Sequence, residues 1–241
     1  MERVKLLGYE IDTFNFEDAV KHAIELEKSD KVSQVVTINP EMFDCAKKDE
    51  EFSAILRTSE MVIPDGVGVK IGLKLLGHDV DRIAGIDFAR RMIEESAKNN
   101  IPVALIGAKP ETVELAKTNL LNEVSGLNIV YCHDGYFQDN ESVLQELKSS
   151  GAGLILVALG SPKQEKFIKD AKSILPNGLM IGVGGSFDVW SGQVERAPEI
   201  YQKMGIEWLY RTIKQPERFK RIFPTLPIFI LKVMFSAIGR S

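Results

Sequence analysis

Polar segments that follow apolar runs carry the residues best suited to chemistry. In Pro64-Asp65-Gly66 the carboxylate of Asp65 could accept a proton from a substrate hydroxyl, and the glycine lets the backbone turn tightly. Alternatively, Asp65 caps the helix that follows, and its position alone does not decide between these interpretations. Thr37 and Asn39, in Thr37-Ile38-Asn39-Pro40-Glu41, also stand between a strand and a helix, and there helix capping and turn formation are favoured.

The segment 182–188, Gly-Val-Gly-Gly-Ser-Phe-Asp, gives the strongest single signal. Gly184, Gly185 and Ser186 would expose backbone N–H groups beyond a buried strand, which is a common way of binding phosphate. Asp188 could hydrogen bond to a ribose or a base. The segment lacks the Gly-Lys-Ser/Thr of a P-loop, and no dinucleotide fingerprint stands at the first strand-to-helix turn. An NAD-dependent oxidoreductase is therefore disfavoured.

Arg82 and Gln164 are further candidates for a binding site. Arg82 could bind phosphate or pair with Asp87, and an ion pair is the more frequent outcome. Gln164 is expected in the first turn of a helix near the pocket, whereas its neighbours Lys163 and Glu165 are expected to be solvated.

Metal binding is not indicated. Asp79-Val80-Asp81 has the Asp-x-Asp spacing of metal-dependent sugar-nucleotide transferases, but it is interpreted as solvated charge in a surface loop. The three histidines share no ligand spacing, and Cys45 and Cys132 are far apart in sequence. We expect neither a metal nor a cofactor.

Alternation of strands and helices predicts the fold class. Apolar strands are predicted at 4–7, 9–11, 33–38, 61–63, 103–106, 129–132, 154–158 and 179–183. Helices are predicted at 16–27, 41–49, 67–76, 88–99, 111–122, 142–149 and 162–173. This pattern favours a Rossmann-like α/β domain at 1–195, with a mostly parallel sheet, helices on both faces, and ligands at the carboxyl ends of the strands.

Residues 196–241 differ in composition and are predicted to be a helical basic and apolar appendage. They hold nine basic and three acidic residues, a net charge of +6, whereas residues 1–195 carry −10. Pro224, Pro227 and Lys232 interrupt the apolar part, which therefore resembles an interfacial anchor more than a spanning helix. The alternative is a helix pair packed on the body or on another subunit, and uncovered apolar surface would favour a homo-oligomer. No signal peptide is visible, which predicts a cytoplasmic protein attached peripherally to the inner face of the membrane, without a nucleic-acid partner.

Several of these motifs together resemble the WecG/TagA/CpsF family of bacterial glycosyltransferases. The resemblance spans nearly the whole chain and is carried by Thr37-x-Asn39, Pro64-Asp65-Gly66, Gly160-Ser161-Pro162-Lys163-Gln164-Glu165, Gly182 to Asp188, Ser191-Gly192, Arg196-Ala197-Pro198 and Glu207-Trp208-Leu209-Tyr210-Arg211. It implies an inverting, metal-independent transferase that uses a UDP-sugar. TagA-like members, which this chain resembles most, transfer N-acetylmannosamine to undecaprenyl-diphosphate-linked N-acetylglucosamine in wall teichoic acid synthesis. WecG-like members transfer N-acetylmannosaminuronic acid.

The resemblance also implies roles for individual residues. Asp65 matches the proposed general base, with Thr37, Gln164 and Arg211 in the catalytic site. Substrate binding is expected from Asn39, Arg82, Tyr136, Gly184, Gly185, Ser186, Asp188, Arg218 and Arg221. A protein that binds a nucleotide at the membrane surface without catalysis is the remaining alternative.

Overall fold

A six-stranded parallel sheet lies at the centre of the protein. The computed structural model describes residues 2–214 and 219–238. The strands of this sheet are β3 (Val32–Ile38), β4 (Met61–Pro64), β5 (Val103–Gly107), β6 (Ile129–His133), β7 (Leu154–Ala158) and β8 (Gly178–Gly182). Their order is β4-β3-β8-β7-β5-β6, and every neighbouring pair is parallel. A separate antiparallel hairpin consists of β1 (Arg3–Leu6) and β2 (Tyr9–Asp12).

Helices cover both faces of the sheet, so the predicted Rossmann-like α/β architecture is confirmed. They are α1 (Phe16–Glu27), α2 (Pro40–Ala46), α3 (Glu50–Thr58), α4 (Val67–Leu75), α5 (Gly85–Lys98), α6 (Pro110–Glu123), α7 (Asn140–Ser150), α8 (Lys163–Ala171), α9 (Ser186–Trp190), α10 (Glu199–Lys203), α11 (Glu207–Lys214) and α12 (Phe219–Ile238). Alternate strand residues point to opposite faces, so that Leu105 and Leu156 pack with α5 and α6 while Ile106 and Val157 pack with α7 and α8. Burial on both faces explains why the strands are almost continuously apolar.

Within residues 1–195, the helices α3 and α9 were not predicted from the sequence. The helix expected at 41–49 ends at Ala46, and a new helix, α3, begins after Asp49, whose Oδ1 accepts a hydrogen bond from the Phe52 amide at 2.9 Å. The glycine-rich segment passes directly into a short helix, α9, which begins at Ser186. Ser186 and Asp188 therefore lie on a short helix.

The N-terminal hairpin covers one edge of the sheet. Asp12 is buried, and its Oδ2 accepts a hydrogen bond from the Val62 amide of β4 at 2.7 Å. Arg3 Nε donates to the other oxygen of Asp12 at 2.7 Å. The Asp12 carboxylate thus satisfies the Val62 N–H at the outer edge of β4, which has only β3 as a neighbour in the large sheet.

The C-terminal helix α12 packs along the body on one face and is exposed on another. Phe229 and Val233 are buried against α2 and α4. Two glycines of α4 allow this approach, since a Cβ at Gly68 would lie 2.6 Å from Leu226 Cδ1 and one at Gly72 would lie 3.3 Å from Phe229 Cε1. The opposite face of α12 exposes the apolar side chains Ile228, Leu231, Met234 and Phe235. Among the described helices none has the length and apolar character needed to cross a membrane.

Replacing Gly68 by leucine is expected to loosen α12. A side chain at this position must displace Leu226 or Pro40, and overpacking of this kind costs about 1–3 kcal/mol. Amide hydrogen exchange should then become faster between residues 226 and 233. Ile71→Leu, on the exposed side of α4, is the control and should leave the exchange of α12 unchanged. Unchanged exchange in Gly68→Leu would contradict a role of α4 in holding α12.

Candidate functional site

A cavity of about 800 Å³ opens at the carboxyl ends of β4, β3, β8 and β7. Parallel strands all end at the same edge of a sheet, so the segments that follow them meet there. Residues from the C-terminal helices also line this cavity. Its polar and glycine lining includes Thr37, Asn39, Asp65, Arg82, Gly85, Gln164, Gly184, Gly185, Ser186, Asp188, Glu207, Trp208 and Tyr210.

Asp65 follows β4 and is held by backbone amides. Its Oδ1 accepts a hydrogen bond from the Gly66 amide at 2.6 Å, and its Oδ2 accepts one from the Gly85 amide at 3.4 Å. Gly66 has a φ of +81° and occupies the cap position of α4, which has no side-chain cap. Asp65 therefore does not cap α4, and its half-buried carboxylate stands in the cavity wall.

The surroundings of Asp65 weaken it as an acid. Burial raises the pKa of its carboxyl above the usual range, and the negative charge of Glu207 acts in the same direction. The positive charge of Arg82 and the amides of Gly85 and Gly66 lower the pKa and oppose this shift. A carboxylate with a raised pKa is a stronger proton acceptor than an ordinary aspartate, which suits a general base.

Thr37 and Asn39 occupy the end of β3 beside Asp65. Asn39 Oδ1 accepts hydrogen bonds from the amides of Glu41 and Met42 at 3.0 and 3.2 Å, so this side chain caps α2 while also lining the cavity. Thr37 packs against the first residue of α5, where a Cβ on Gly85 would lie 3.0 Å from Thr37 Oγ1. The missing side chain at Gly85 lets the start of α5 approach β3.

Gln164 connects α8 to the glycine turn. Its Oε1 accepts a hydrogen bond from the Gly184 amide at 3.0 Å, and its Nε2 donates to Glu165 Oε1 at 2.8 Å. The expectation that Glu165 is solvated is wrong, since its side chain is only 2% exposed. The reason is that the first turn of α8 faces the sheet, which buries Gln164 and Glu165 and leaves Lys163 exposed.

Arg82 and Asp87 do not form the ion pair that was the expected outcome for them. Asp87 instead accepts two hydrogen bonds from Arg196, at 2.6 and 2.7 Å, in a bidentate arrangement. Arg82 lines the cavity and donates from Nη2 to the main-chain oxygen of Gln202 at 3.4 Å. Arg196 lies just before α10 and Gln202 lies within it, so both contacts link α5 and the segment before it to the C-terminal part of the chain.

Helix α11 brings residues to the cavity that sequence reasoning did not select. Glu207 is 5% exposed, and the indole N–H of Trp208 is buried without a hydrogen-bond partner among the described residues. Tyr210 also lines the cavity. The signal was present in Glu207-Trp208-Leu209-Tyr210-Arg211, which combines acidic, aromatic and basic residues, but nothing local predicts which of them face the body.

Four predicted site residues are not among those placed at the cavity. Tyr136 follows β6, at the opposite end of the strand order from β4, and is 70% exposed. The side chains of Arg211 and Arg221, and all of Arg218, lie outside the described part of the chain.

Asp81 pairs with Lys70 at 3.1 Å on the surface, as expected for solvated charge. No group of three or more His, Cys, Asp or Glu side chains suited to a metal is found among the described residues.

The fold and the cavity define an α/β protein with a large cavity at the carboxyl edge of a parallel sheet, which is where sheets of this kind usually bind ligands. A family model described as the glycosyl transferase WecG/TagA/CpsF family matches residues 4–241, and the chain belongs to this family. The resemblance inferred from the motifs is thus confirmed at the level of the family. As a family member, the protein is a sugar transferase that acts on a sugar donor and an acceptor.

The Arg196–Asp87 pair should contribute measurably to stability. A bidentate pair that is a quarter exposed at Arg196 and 44% exposed at Asp87 should show a coupling free energy of about 1 kcal/mol, after allowance for solvent screening. A double-mutant cycle with Asp87→Ala and Arg196→Ala in denaturant unfolding measures this value. The exposed Lys21–Asp18 pair, at 3.4 Å, is the control and should give no more than about 0.5 kcal/mol. Equal couplings for the two pairs would contradict the prediction.

Proposed function

We propose that the protein is an inverting transferase that moves N-acetylmannosamine from UDP-N-acetylmannosamine to undecaprenyl-diphosphate-linked N-acetylglucosamine, a step of wall teichoic acid linkage-unit synthesis. The observation that carries the proposal is that Asp65 and the glycine turn at 184–186 line one cavity. A proton acceptor and a group that stabilises the departing diphosphate are the two parts that such a reaction needs. The family membership supports the reaction class, and the relatively short, basic C-terminal segment, which resembles that of TagA-like members, supports the choice of sugar.

Inversion requires a single in-line displacement at the anomeric carbon. The acceptor hydroxyl attacks this carbon and forms the new glycosidic bond, while the bond to the UDP oxygen breaks and UDP departs with the electron pair. Asp65 takes the proton of the attacking hydroxyl, a role that contributes about two to four powers of ten in rate. Its raised pKa favours this proton transfer.

The departing diphosphate gains negative charge that must be stabilised. In the glycine turn the Gly184 N–H already donates to Gln164 Oε1 and the Ser186 N–H to the Val183 oxygen, so the Gly185 N–H is the main-chain donor that would bind the diphosphate. An arginine of the C-terminal segment (Arg211, Arg218 or Arg221) would supply positive charge. Arg82 would add a second cation close to Asp65. Without such donors the leaving group would be too basic to depart readily.

The rest of the cavity would bind the donor nucleotide and the sugar. Asp188, on the first turn of α9, would accept hydrogen bonds from the ribose or the uracil. Thr37 and Asn39 would contact the sugar next to Asp65. The indole N–H of Trp208, which has no partner within the described part of the chain, would find an acceptor in the substrate. These assignments place the nucleotide over β8 and the sugar over β3 and β4.

The C-terminal segment would hold the enzyme peripherally at the inner face of the membrane, where the lipid-linked acceptor is found. Its net charge of +6 favours anionic lipid, and the exposed apolar face of α12 suits the interfacial region. Because α11 also lines the cavity, membrane docking of this segment would exclude water from the reacting atoms and suppress donor hydrolysis. Apolar surface left uncovered in the absence of membrane would favour a homo-oligomer.

A donor comparison tests the proposed activity. The purified protein is given a short-chain lipid-linked N-acetylglucosamine acceptor and one of three donors: UDP-N-acetylmannosamine, UDP-N-acetylmannosaminuronic acid or UDP-glucose. Release of UDP is then followed. We expect release with the first donor only and only with acceptor present. Preference for the uronic acid would overturn the choice of sugar, and nucleotide binding without release would indicate a non-catalytic protein.

Replacing Asp65 by asparagine should separate catalysis from binding. In the wild type, kcat/KM should fall on the acid side with an apparent pKa above the usual aspartate range, because a protonated Asp65 cannot accept the hydroxyl proton. In Asp65→Asn, kcat should be lower by about two to four powers of ten and this acid limb should be absent. UDP affinity, measured by calorimetry, should be little changed. Near-normal kcat in the variant would mean that another group is the base.

A further inference from the structure

We propose that Glu165 is a positioning residue that fixes the orientation of the Gln164 side-chain amide and thereby the glycine turn at Gly184. The functional part of this inference rests on the proposed binding of a nucleoside diphosphate at that turn. Glu165 itself does not line the cavity, so it acts through Gln164.

The evidence begins with the hydrogen bonds at both ends of the Gln164 amide. Oε1 accepts from the Gly184 amide at 3.0 Å, and Nε2 donates to Glu165 Oε1 at 2.8 Å. A carboxyl oxygen that faces Gln164 accepts a hydrogen bond, so it selects the NH₂ end of the amide and directs the carbonyl end to Gly184.

Steric contact limits the amide on a third side. A Cβ on Gly182 would lie 2.4 Å from Gln164 Nε2, so the amide lies directly over the end of β8. In this confined position the main remaining freedom is a flip that exchanges oxygen and nitrogen. After a flip the NH₂ group would face the Gly184 N–H, and two donors would be left opposed without an acceptor.

Gly184 is sensitive to the loss of this hydrogen bond because of its backbone conformation. Its φ is +51°, and it stands between β8 and the first turn of α9. Apart from its neighbours in the chain, no heavy atom of the described residues lies within 4 Å of the position that a Cβ on Gly184 would take, so little packing holds this residue and the hydrogen bond to the Gln164 oxygen is an important restraint. The orientation of the neighbouring Gly185 amide, which would bind the diphosphate, depends on this turn.

The environment of Glu165 agrees with a neutral acceptor. Burial raises the pKa of its carboxyl, and the Gln164 hydrogen bond lowers it to a smaller extent. Its second oxygen, Oε2, has no hydrogen-bond partner of good geometry among the described residues, although the nearby Ser161 hydroxyl also lowers the pKa. An ionised carboxylate is therefore not required, and glutamine at this position would keep an acceptor oxygen toward Gln164.

Four variants of the full-length protein test the proposal. Glu165→Met has a similar length and no acceptor, and Glu165→Gln restores an acceptor. Gln164→Met and the double variant Gln164→Met/Glu165→Met complete a double-mutant cycle with the single variant Glu165→Met. Glu111→Met, in the exposed first turn of α6, is the matched control for replacing an acid near a helix N-terminus.

Two measurements are made on each variant: the Kd for UDP by calorimetry and the exchange rate of the Gly184 amide by NMR. In Glu165→Met we expect UDP affinity to fall about tenfold, the equivalent of one lost hydrogen bond at the site, with faster exchange at Gly184. Glu165→Gln and Glu111→Met should stay within about twofold of the wild type. Adding Glu165→Met to Gln164→Met should cause little further loss, since Glu165 would act only through Gln164.

Several results would overturn the inference. They are wild-type exchange at Gly184 in a folded Glu165→Met variant, an equal loss in Glu165→Gln, or additive losses in the double variant. If Glu165→Met does not fold, slow Gly184 exchange in Glu165→Gln still supports the inference and fast exchange there contradicts it. If the wild type fails to bind UDP while Gly184 exchange responds as expected, the proposed function is wrong and the positioning role is retained.

Discussion

Partial burial of the Asp65 carboxylate is the constraint on which the site depends. Removing a charge from water costs free energy, and the protein offsets part of this cost with two amides and the nearby Arg82. The negative charge of Glu207 instead raises the pKa of Asp65, and this residue belongs to α11, which lies beyond the α/β body. The basicity of Asp65 is therefore set jointly by the body and the C-terminal helices, so the position of α11 and the chemistry at β4 are coupled.

Glycine residues allow the elements around this carboxylate to come together. Gly66 and Gly184 adopt positive φ values at the ends of β4 and β8, which lets each strand turn directly into a helix. Gly85 and Gly182 act differently, because their missing side chains leave room for Thr37 and for the Gln164 amide. Glycines at the strand ends therefore have two roles: some form the turns into helices, and others allow close contacts between elements that border the cavity.

Much of the fold could be predicted from the sequence, and much less of the site. The strands were predictable because they are apolar and buried on both faces, and α1 was predicted with its observed bounds because Asn15 caps it locally. Gly160-Ser161-Pro162-Lys163-Gln164-Glu165 indicated a turn, yet burial of Glu165 depends on how α8 meets the sheet. The partner of Asp87 is 109 residues away in sequence, so local charge spacing favoured Arg82 incorrectly. The same limit applies to Glu207 and Trp208, whose place at the cavity depends on how the C-terminal helices pack.

The hairpin of β1 and β2 makes the two borders of the sheet unequal. Beside the cavity, the Val62 N–H of β4 is already bonded to Asp12, so this border is poorly suited to adding a strand from another molecule. The other border, β6, is separated from β4 by four strands. If copies of the protein join strand to strand, the geometry directs them to that remote border, and each copy would keep an open entrance for its substrates.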